Sequence, residues 1–360
     1  MKITFRSVGC FAFISLIALV LLAQCSSRTA SDSSGTSGQY LYVASGTTFA
    51  GTGITMSTQS ATVTKFTIDG TYVEVIRDYN DALSFTGDTP VGAIDYDEDY
   101  LLVAVENATT PAYRRIEKVA KDGSSVATFL MNSAAFTTAT SIIKDLVFSA
   151  DGGLLISKGT ASANAAIEKF NASKARILIA ANPYVRAPAG SCATAQTNFA
   201  RIVVGPGGNI LAAHAAATAN NKVIMVSLNG YTSAADCITA VTGPTVNHIP
   251  TSLLYHSGGK LFVAYASSTG PVHDIYSYDV DATTITNGAL AYSNVSLVQG
   301  VSAMTEGTDG SIFVASAATG FNSVENFTVD SSTGVLTRVG SAPVLSPNLY
   351  TRSISAIVAP

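Results

Sequence analysis

A tight turn followed by a short apolar strand recurs along the chain, and this repetition constrains the fold more than any other feature. It is clearest at Asp309–Ser316, where Asp-Gly precedes Ile-Phe-Val-Ala. Six such strands can be aligned, and successive strands begin 51 to 60 residues apart. They are Tyr40–Ser45, Tyr100–Val105, Gly153–Lys158, Asn209–His214, Lys260–Tyr265 and Ser311–Ser316. A repeat of this length with several strands inside it is typical of a β-propeller or a related array.

Further strands surround this one, which we label strand b. An apolar strand a and a hairpin turn precede it in every repeat except the first, as at Arg201–Val204. Asp-Gly and Gly-Gly supply the positive φ that tight hairpins need. A strand c of alternating pattern follows, as at Val324–Val329. A strand d comes next, clear in repeats one, two and six and weak in four and five, where Ile238–Val241 is the best candidate for repeat four. The order a, b, c, d predicts four-stranded antiparallel blades.

The two ends of this region predict how the blades close into a ring. The first repeat begins at strand b with Tyr40, whereas Ser353–Val358 is an apolar strand with no strand b after it. If the C-terminal strand is the innermost strand of the first blade, six blades are complete and no sheet edge stays open. We therefore predict an all-β, six-bladed β-propeller over residues 39–360, with seven blades as the alternative. No segment combines helical periodicity with capping signals.

The first 25 residues have the pattern of a targeting signal. Lys2 and Arg6 precede an apolar run from Val8 to Leu22, which is of signal-peptide length and too short for a comfortable membrane span. The run ends in Leu22–Cys25 (Leu-Ala-Gln-Cys), which resembles the lipobox of bacterial lipoproteins. Gln24 departs from the small residue usual at that position. An ordinary secretory signal that is cleaved nearby is the alternative.

The lipobox resemblance implies a lipoprotein of the bacterial cell envelope. Residues 1–24 would be the signal peptide, Cys25 would carry the lipid (palmitate among its acyl chains), and residues 25–38 would form a Ser-rich flexible tether. Ser26 is not the Asp that resembles an inner-membrane retention signal, so the outer membrane is expected, on its periplasmic or surface face. Each buried CH₂ of the lipid contributes roughly 0.8 kcal/mol to anchoring.

The composition of the chain limits which partners and which cellular compartment are expected. Charged residues make up only 12% of the chain and the formal net charge is −4, so nucleic acid is not an expected partner. The abundance of small β-forming residues favours a sheet-rich extracytoplasmic protein, expected to be a monomer. Cys192 and Cys237 remain as a pair after Cys10 and Cys25 are assigned to the signal and the lipid. A disulfide between them would close a loop of about 45 residues, worth roughly 3–4 kcal/mol, and two buried thiols are the alternative.

The repeats resemble the six- and seven-bladed propellers of the NHL, YVTN and lactonase-like group. Tyr40–Ser45 (Tyr-Leu-Tyr-Val-Ala-Ser) is close to the Tyr-Val-Thr-Asn style of strand b. Phe327–Thr337 is similar to the turn between strands c and d of lactonase-like propellers, and Tyr278–Thr284 is a fainter copy. The resemblance spans most of residues 39–360 and implies a fold. It does not imply a function, because propellers carry many unrelated activities.

In such a propeller the b–c loops and the d–a connections share one face, around the mouth of the central channel, and a ligand is expected there. Residues at the end of strand b are therefore the candidate ligand-face residues. They are Ser45, Glu106, Lys158, His214, Tyr265 and Ser316. The set is chemically mixed, unlike a metal site, and ordinary loop residues are the alternative interpretation. We predict no metal, no cofactor and no catalytic residue.

Other chemical motifs are weak. His214, His248, His256 and His273 have no zinc-type spacing, and no nucleophile or phosphate-loop motif occurs. The carboxylates of Asp95–Asp99 could suggest calcium, but a solvated hairpin turn is the preferred interpretation. The leading hypothesis is a non-catalytic, lipid-anchored propeller that binds an envelope protein, glycan or other component. A lactonase-like hydrolase or lyase at the channel is the alternative, and an assembly scaffold is a third.

Overall fold

The structure is a computed structural model that describes most of the predicted propeller. The described residues are 39–46, 61–107, 109–131, 142–159, 166–178, 184–186, 199–214, 221–227, 229, 237–245, 248–267, 274–294, 300–317, 322–345 and 354–360. The predicted signal peptide, Cys25, the tether, Cys192 and His273 lie outside them. Among the described residues, no helix has the length and apolar character needed to cross a membrane.

The strands form six antiparallel sheets in chain order. The first contains β1 (Tyr40–Ser45), β2 (Thr62–Thr67) and β3 (Tyr72–Asp78), and the second contains β4 (Asp88–Asp95), β5 (Tyr100–Asn107), β6 (Arg115–Ala120) and β7 (Val126–Met131). The third contains β8 (Ile142–Phe148), β9 (Leu154–Gly159), β10 (Ala166–Phe170), β11 (Arg176–Ile177) and β12 (Val185–Arg186). The fourth contains β13 (Phe199–Val204), β14 (Ile210–His214), β15 (Lys222–Val226) and β16 (Cys237–Thr242). The fifth contains β17 (His248–Tyr255), β18 (Lys260–Ser267), β19 (Asp274–Val280) and β20 (Ile285–Ser293). The sixth contains β21 (Val301–Glu306), β22 (Ile312–Ser316), β23 (Val324–Val329) and β24 (Leu336–Arg338).

The last strand, β25 (Ile354–Val358), closes the ring as predicted. It pairs antiparallel with β1, with Val43 opposite Ile357, and so becomes the innermost strand of the first sheet. The innermost strands of neighbouring sheets contact one another all the way around. The prediction of a six-bladed propeller with four-stranded antiparallel blades is confirmed. The described residues contain no helix beyond two short 3₁₀ turns, Pro111–Tyr113 and Pro206–Gly208.

Strand d departs most from the sequence prediction. In the third blade it is split into β11 and β12, which both pair with β10, and the sequence between them contains Pro183, which has no N–H for a ladder. In the fifth blade β20 runs for nine residues although its pattern is weak. Asn287, at a φ of 55°, and two register shifts interrupt its alternation, and most of its middle residues are exposed. Polar residues and irregular register therefore hide this outer strand from a periodicity analysis.

Strand b forms the centre of each blade's core. Leu101 to Val105 are fully buried, and the other b strands are buried almost as completely. Both faces of a b strand are covered because blades pack face to face around the ring. Tyr42 and Val63 of the first blade, for example, belong to one apolar cluster with Leu101 and Val119 of the second. This two-sided burial explains the continuous apolar runs in the repeat, since a strand with one wet face would alternate.

Gly70 and Gly152 offer a matched test of turn packing. Both have positive φ, 87° and 79°, which favours glycine. A Cβ on Gly70 would lie 1.8 Å from the carbonyl oxygen of Val344, whereas a Cβ on Gly152 would meet nothing within 4 Å. We expect Gly152→Ala to cost about 1–2 kcal/mol through backbone strain and Gly70→Ala a further 1–3 kcal/mol through overpacking. Urea denaturation followed by circular dichroism measures both, and equal losses would contradict the packing argument.

Candidate functional site

A β-bulge recurs near the start of all six innermost strands. At the bulge, one residue of the innermost strand has no partner in the neighbouring strand b, and the pairing register shifts by one residue. The unpaired residues are Val91, Lys144, Ala200, Thr251, Ser302 and Ser355. A bulge bends its strand and redirects the unpaired residue, and all six side chains are half-buried. They form a ring, here called the bulge ring, at the end of the channel that faces the b–c and d–a connections.

The side chain of Arg201 crosses the channel at the bulge ring. Its Nε and Nη2 donate to the carbonyl of Ser302 at 3.0 and 2.6 Å, and Nη2 also donates to the carbonyl of Ser355. Its Nη1 donates to the carbonyls of Val91 and Lys144 at 3.2 and 3.3 Å. All four acceptors are bulge residues of other blades. One guanidinium from the fourth blade therefore ties together the first, second, third and sixth blades.

Asp145 is the charged partner of Arg201. Its Oδ1 lies 3.3 Å from Arg201 Nη1, and its Oδ2 accepts a hydrogen bond of 3.0 Å from the backbone N–H of Ile202. Burial raises the pKa of the Asp145 carboxyl, and the guanidinium opposes that rise. Both oxygens are thus engaged within the protein.

Beyond Arg201, toward the a–b turns, the channel widens into a chamber of about 300 Å³. All six innermost strands line it, and most of the lining side chains are apolar. They include Ile94, Leu146, Ile202, Leu253, Met304 and Ile357. Arg201 thus separates an apolar chamber on the turn face from a polar mouth on the other face.

Lys144 is the one cationic residue of the bulge ring. Its carbonyl accepts from Arg201, its side chain is half-buried, and among the described residues its ammonium makes no ion pair or hydrogen bond. Burial lowers the pKa of Lys144, the charge of Arg201 lowers it further, and the carboxylate of Glu106 opposes the shift. Because Glu106 is itself bonded to Arg114, the arrangement places beside the channel a positive charge that has no ion pair of its own among the described residues.

Carboxylates near the mouth are already bonded. Glu106 Oε1 accepts from Nε of Arg114 at 2.5 Å, and Oε2 accepts from the backbone N–H of Ile143 at 2.9 Å. Burial raises the pKa of Glu106, and Arg114 opposes that rise. In the third blade, Glu168 lies 2.6 Å from Nζ of Lys158. Both carboxylates thus bond to buried cations.

A larger buried network joins the first and second blades on the same face. Arg77 donates to both oxygens of Glu117 at 2.9 and 3.1 Å, and Nε of Arg115 donates to Glu117 Oε1 at 2.8 Å. Arg115 Nη2 also reaches Asp88 Oδ2 at 2.6 Å, while the other oxygen of Asp88 accepts from Asn107 at 2.9 Å. Two buried arginines therefore share two buried carboxylates.

The carboxylates available to this face can be counted from the sequence. Within residues 39–360, the segments outside the described ranges contain a single carboxylate, Asp236, in the connection between β15 and β16. Every described carboxylate near the b–c and d–a face contacts a cation, an imidazole or a backbone N–H. They are Asp78, Asp81, Asp88, Glu106, Glu117, Asp145, Glu168, Asp274 and Glu325. The described residues hold no group of three or more His, Cys, Asp or Glu suited to a metal ion.

The six predicted ligand-face residues lie at the end of strand b, but all are buried inside the blades. They are Ser45, Glu106, Lys158, His214, Tyr265 and Ser316. The hydroxyls of Tyr265 and Tyr278, for instance, lie 2.8 Å apart within the fifth blade. The six do not form an exposed polar ring, and their contact with a ligand stays a prediction. The bulge residues of strand a occupy that position instead.

Two other predicted features can be located. Asp97 accepts the backbone N–H groups of Asp99 and Tyr100 at 3.0 and 2.8 Å, and Asp95 pairs with Lys121 at 2.7 Å, which is the geometry of a hairpin turn. Cys237 is disulfide-bonded, and its partner lies outside the described residues. Its pairing with Cys192 stays a prediction.

Comparison with known proteins identifies the fold. No protein-family model and no curated protein matches the chain. Among solved structures, a protein of unknown function from Bacteroides caccae is similar with a TM-score of 0.55 and 14% identity, over 89% of this chain and 98% of that one. A protein from Bacteroides uniformis, provisionally assigned as a 6-phosphogluconolactonase, has a TM-score of 0.54 and 15% identity, over 90% and 85%. A gluconolactonase from Xanthomonas campestris has a TM-score of 0.51 and 13% identity, over 88% and 89%. The chain thus shares its six-bladed propeller with lactonase-like proteins, and at these identities the likeness concerns the fold alone.

Proposed function

We propose that the chain is a lipid-anchored propeller of the bacterial cell envelope that binds an envelope component, protein or glycan, through the b–c and d–a face. The observation that carries this proposal is that the described carboxylates at that face already contact cations, an imidazole or backbone N–H groups of the protein. A general base or a metal ligand needs a carboxylate oxygen with a free lone pair directed at the site. Here arginine, lysine or backbone N–H groups bond at least one oxygen of most of these carboxylates, Asp274 lies 3.6 Å from the imidazole of His248, and Arg201 occupies the channel.

The proposed anchor and the proposed binding face are compatible. The tether of residues 25–38 leads directly to Gln39, which precedes β1, and its Ser-rich composition is that of a flexible linker. A flexible tether lets a propeller present either face to a partner. Lipidation at Cys25 would keep the propeller near the envelope component that it binds.

The full-length chain provides the test. Expressed in a Gram-negative host, it should fractionate with the outer membrane, and Cys25→Ser should release it to the soluble fraction. Purified in detergent, it should co-sediment saturably with cell-wall sacculi or outer-membrane fragments. Glucono-δ-lactone should hydrolyse no faster with the protein than in buffer alone, and this should hold when Ca²⁺, Mg²⁺, Mn²⁺ or Zn²⁺ is added.

The alternative function is a lactonase-like hydrolase, and the fold shared with a gluconolactonase favours it. Glu106 is its best acid–base candidate, because burial raises the pKa of this carboxyl and Lys144 lies near it. Lactone hydrolysis that disappears in a folded Glu106→Gln variant would replace the binding proposal with this one.

A further inference from the structure

We propose that the channel mouth around Lys144 is an anion-binding site, which takes a carboxylate or phosphate group of the ligand. This inference deepens the proposed function, because it names the chemistry by which the face would recognise an envelope component. It rests on the placement of one cation at the bulge ring and on the bonding of the groups around it.

Half-buried Lys144 differs from Lys158 and Lys169, the buried lysines among the described residues. Nζ of Lys158 lies 2.6 Å from Glu168, and Nζ of Lys169 lies 2.6 Å from Asp151. Lys144 has no such partner among the described residues. A partly desolvated charge without an ion pair or hydrogen bond costs stability, and the described residues offer the Lys144 ammonium only the attraction of Glu106, which is itself bonded to Arg114. An anionic ligand supplies the missing ion pair.

The surrounding charges favour an anion over a cation. Among the described residues, Lys144, Arg114 and Arg201 lie near Glu106 and Asp145 at the mouth, and these five groups together carry a net charge of +1. Both carboxylates are held by protein donors on both oxygens. A metal cation would therefore meet repulsion at the mouth, whereas an anion would meet attraction.

The roles of the two central cations follow from their hydrogen bonds. The N–H groups of Arg201 are directed at Asp145 and at the carbonyls of four bulge residues, so Arg201 contributes its charge rather than a contact. The ammonium of Lys144 has three donors, and the half-buried residue lies in the bulge ring with no hydrogen bond or ion pair among the described residues. Lys144 is therefore the residue that contacts the anion.

The binding test uses the full-length protein in detergent and isothermal titration calorimetry. Inorganic phosphate and D-gluconate are the anionic probes, and D-glucose is the uncharged comparison. We expect Lys144→Met to weaken binding of phosphate, gluconate or both at least about tenfold, as for a lost charge-assisted hydrogen bond. Lys144→Arg should stay within about threefold, since the charge remains. Lys222→Met is the matched control and should leave the affinity for both anions unchanged. Lys222 is also a half-buried lysine, but it is the first residue of β15, two strands further from the axis.

A stability measurement separates a binding role from a structural one. If Lys144 awaits an external anion, Lys144→Met removes an uncompensated charge and should raise the melting temperature by about 1–3 °C in anion-free buffer. At a saturating concentration of the anionic probe, the wild type should have the higher melting temperature, because the probe binds and stabilises its folded state more strongly. A lysine that stabilises the fold would give a lower melting temperature on replacement.

The outcomes distinguish this inference from the proposed function. The Lys144 site is overturned if Lys144→Met binds the anions as tightly as the wild type does, or if the wild type binds neither anion. In either case, co-sedimentation with envelope fragments would still support the proposed binding function. Lys144-dependent anion binding together with lactone hydrolysis and no co-sedimentation would support the site and overturn the binding function. Loss of affinity in Lys222→Met equal to that in Lys144→Met would overturn the assignment of the site to the channel mouth.

Discussion

Replacement of Glu117 by alanine is expected to cost about 3–5 kcal/mol of unfolding free energy, because it leaves buried charges without their partner. Glu117 accepts hydrogen bonds from Arg77 of the first blade and Arg115 of the second, and both arginines are almost completely buried. Asp88 would remain for Arg115, and the half-exposed Asp81 for Arg77. Neither can replace a carboxylate that both guanidiniums share.

Urea or guanidinium denaturation, followed by far-ultraviolet circular dichroism since the chain has no Trp, measures this loss. Glu74→Ala is the matched control, because Glu74 is 41% exposed and its ion pair with Lys65 is long at 3.4 Å. The control should lose less than about 1 kcal/mol, as surface ion pairs do. Similar losses in both variants would contradict the view that Glu117 holds the two blades together.

Arg201→Met is expected to have a comparable effect, about 3–5 kcal/mol, since it leaves the Asp145 carboxylate without its cation. It also removes the donors for the inward carbonyls of four blades. Adding Asp145→Asn should recover part of the loss, because the orphaned charge disappears. A coupling of about 1–3 kcal/mol in the double-mutant cycle would be the signature of the direct pair, and strict additivity would argue against it.

The loss in Arg201→Met should also depend on pH. Burial holds the pKa of Asp145 above its ordinary value in the folded protein, and removal of the guanidinium that opposes the rise shifts it further upward. A carboxyl with a raised folded pKa destabilises fully above that pKa, and the penalty fades as pH falls through it. The deficit of Arg201→Met relative to the wild type should therefore be smaller at about pH 4.5 than at about pH 7. A deficit that grows on acidification would contradict this assignment.

The blade architecture could be predicted because its signals are local. Turn residues, the apolar b strands and their spacing all lie within single repeats, and the unpaired strands at the two ends specify the closure. Strand b has the strongest signal because both of its faces are buried. Strand d lies at the rim, where burial is weak and bulges are common, so β20 and the split strand of the third blade carried little pattern.

The channel mouth could not be predicted in the same way. A bulge is a mismatch between two strands, and it becomes visible only when the register of both is known. The contacts of Arg201 join residues as far apart as 154 positions, so no local pattern reports them. One sequence signal was nevertheless present. Lys144-Asp145 and Arg201 are charged residues inside otherwise apolar inner strands, where an isolated charge is costly and therefore informative.

The closure of the first blade also has a mechanical consequence. β1 is hydrogen-bonded along both edges, to β2 on one side and to β25 on the other, and both partners run antiparallel to it. A pull at Gln39 that acts along the length of β1 would load both ladders in shear at once. The strand cannot peel away one bond at a time, as a strand at a free edge can. The C-terminal strand, more than 300 residues away in sequence, thus bears part of any load that reaches the propeller through its N-terminus.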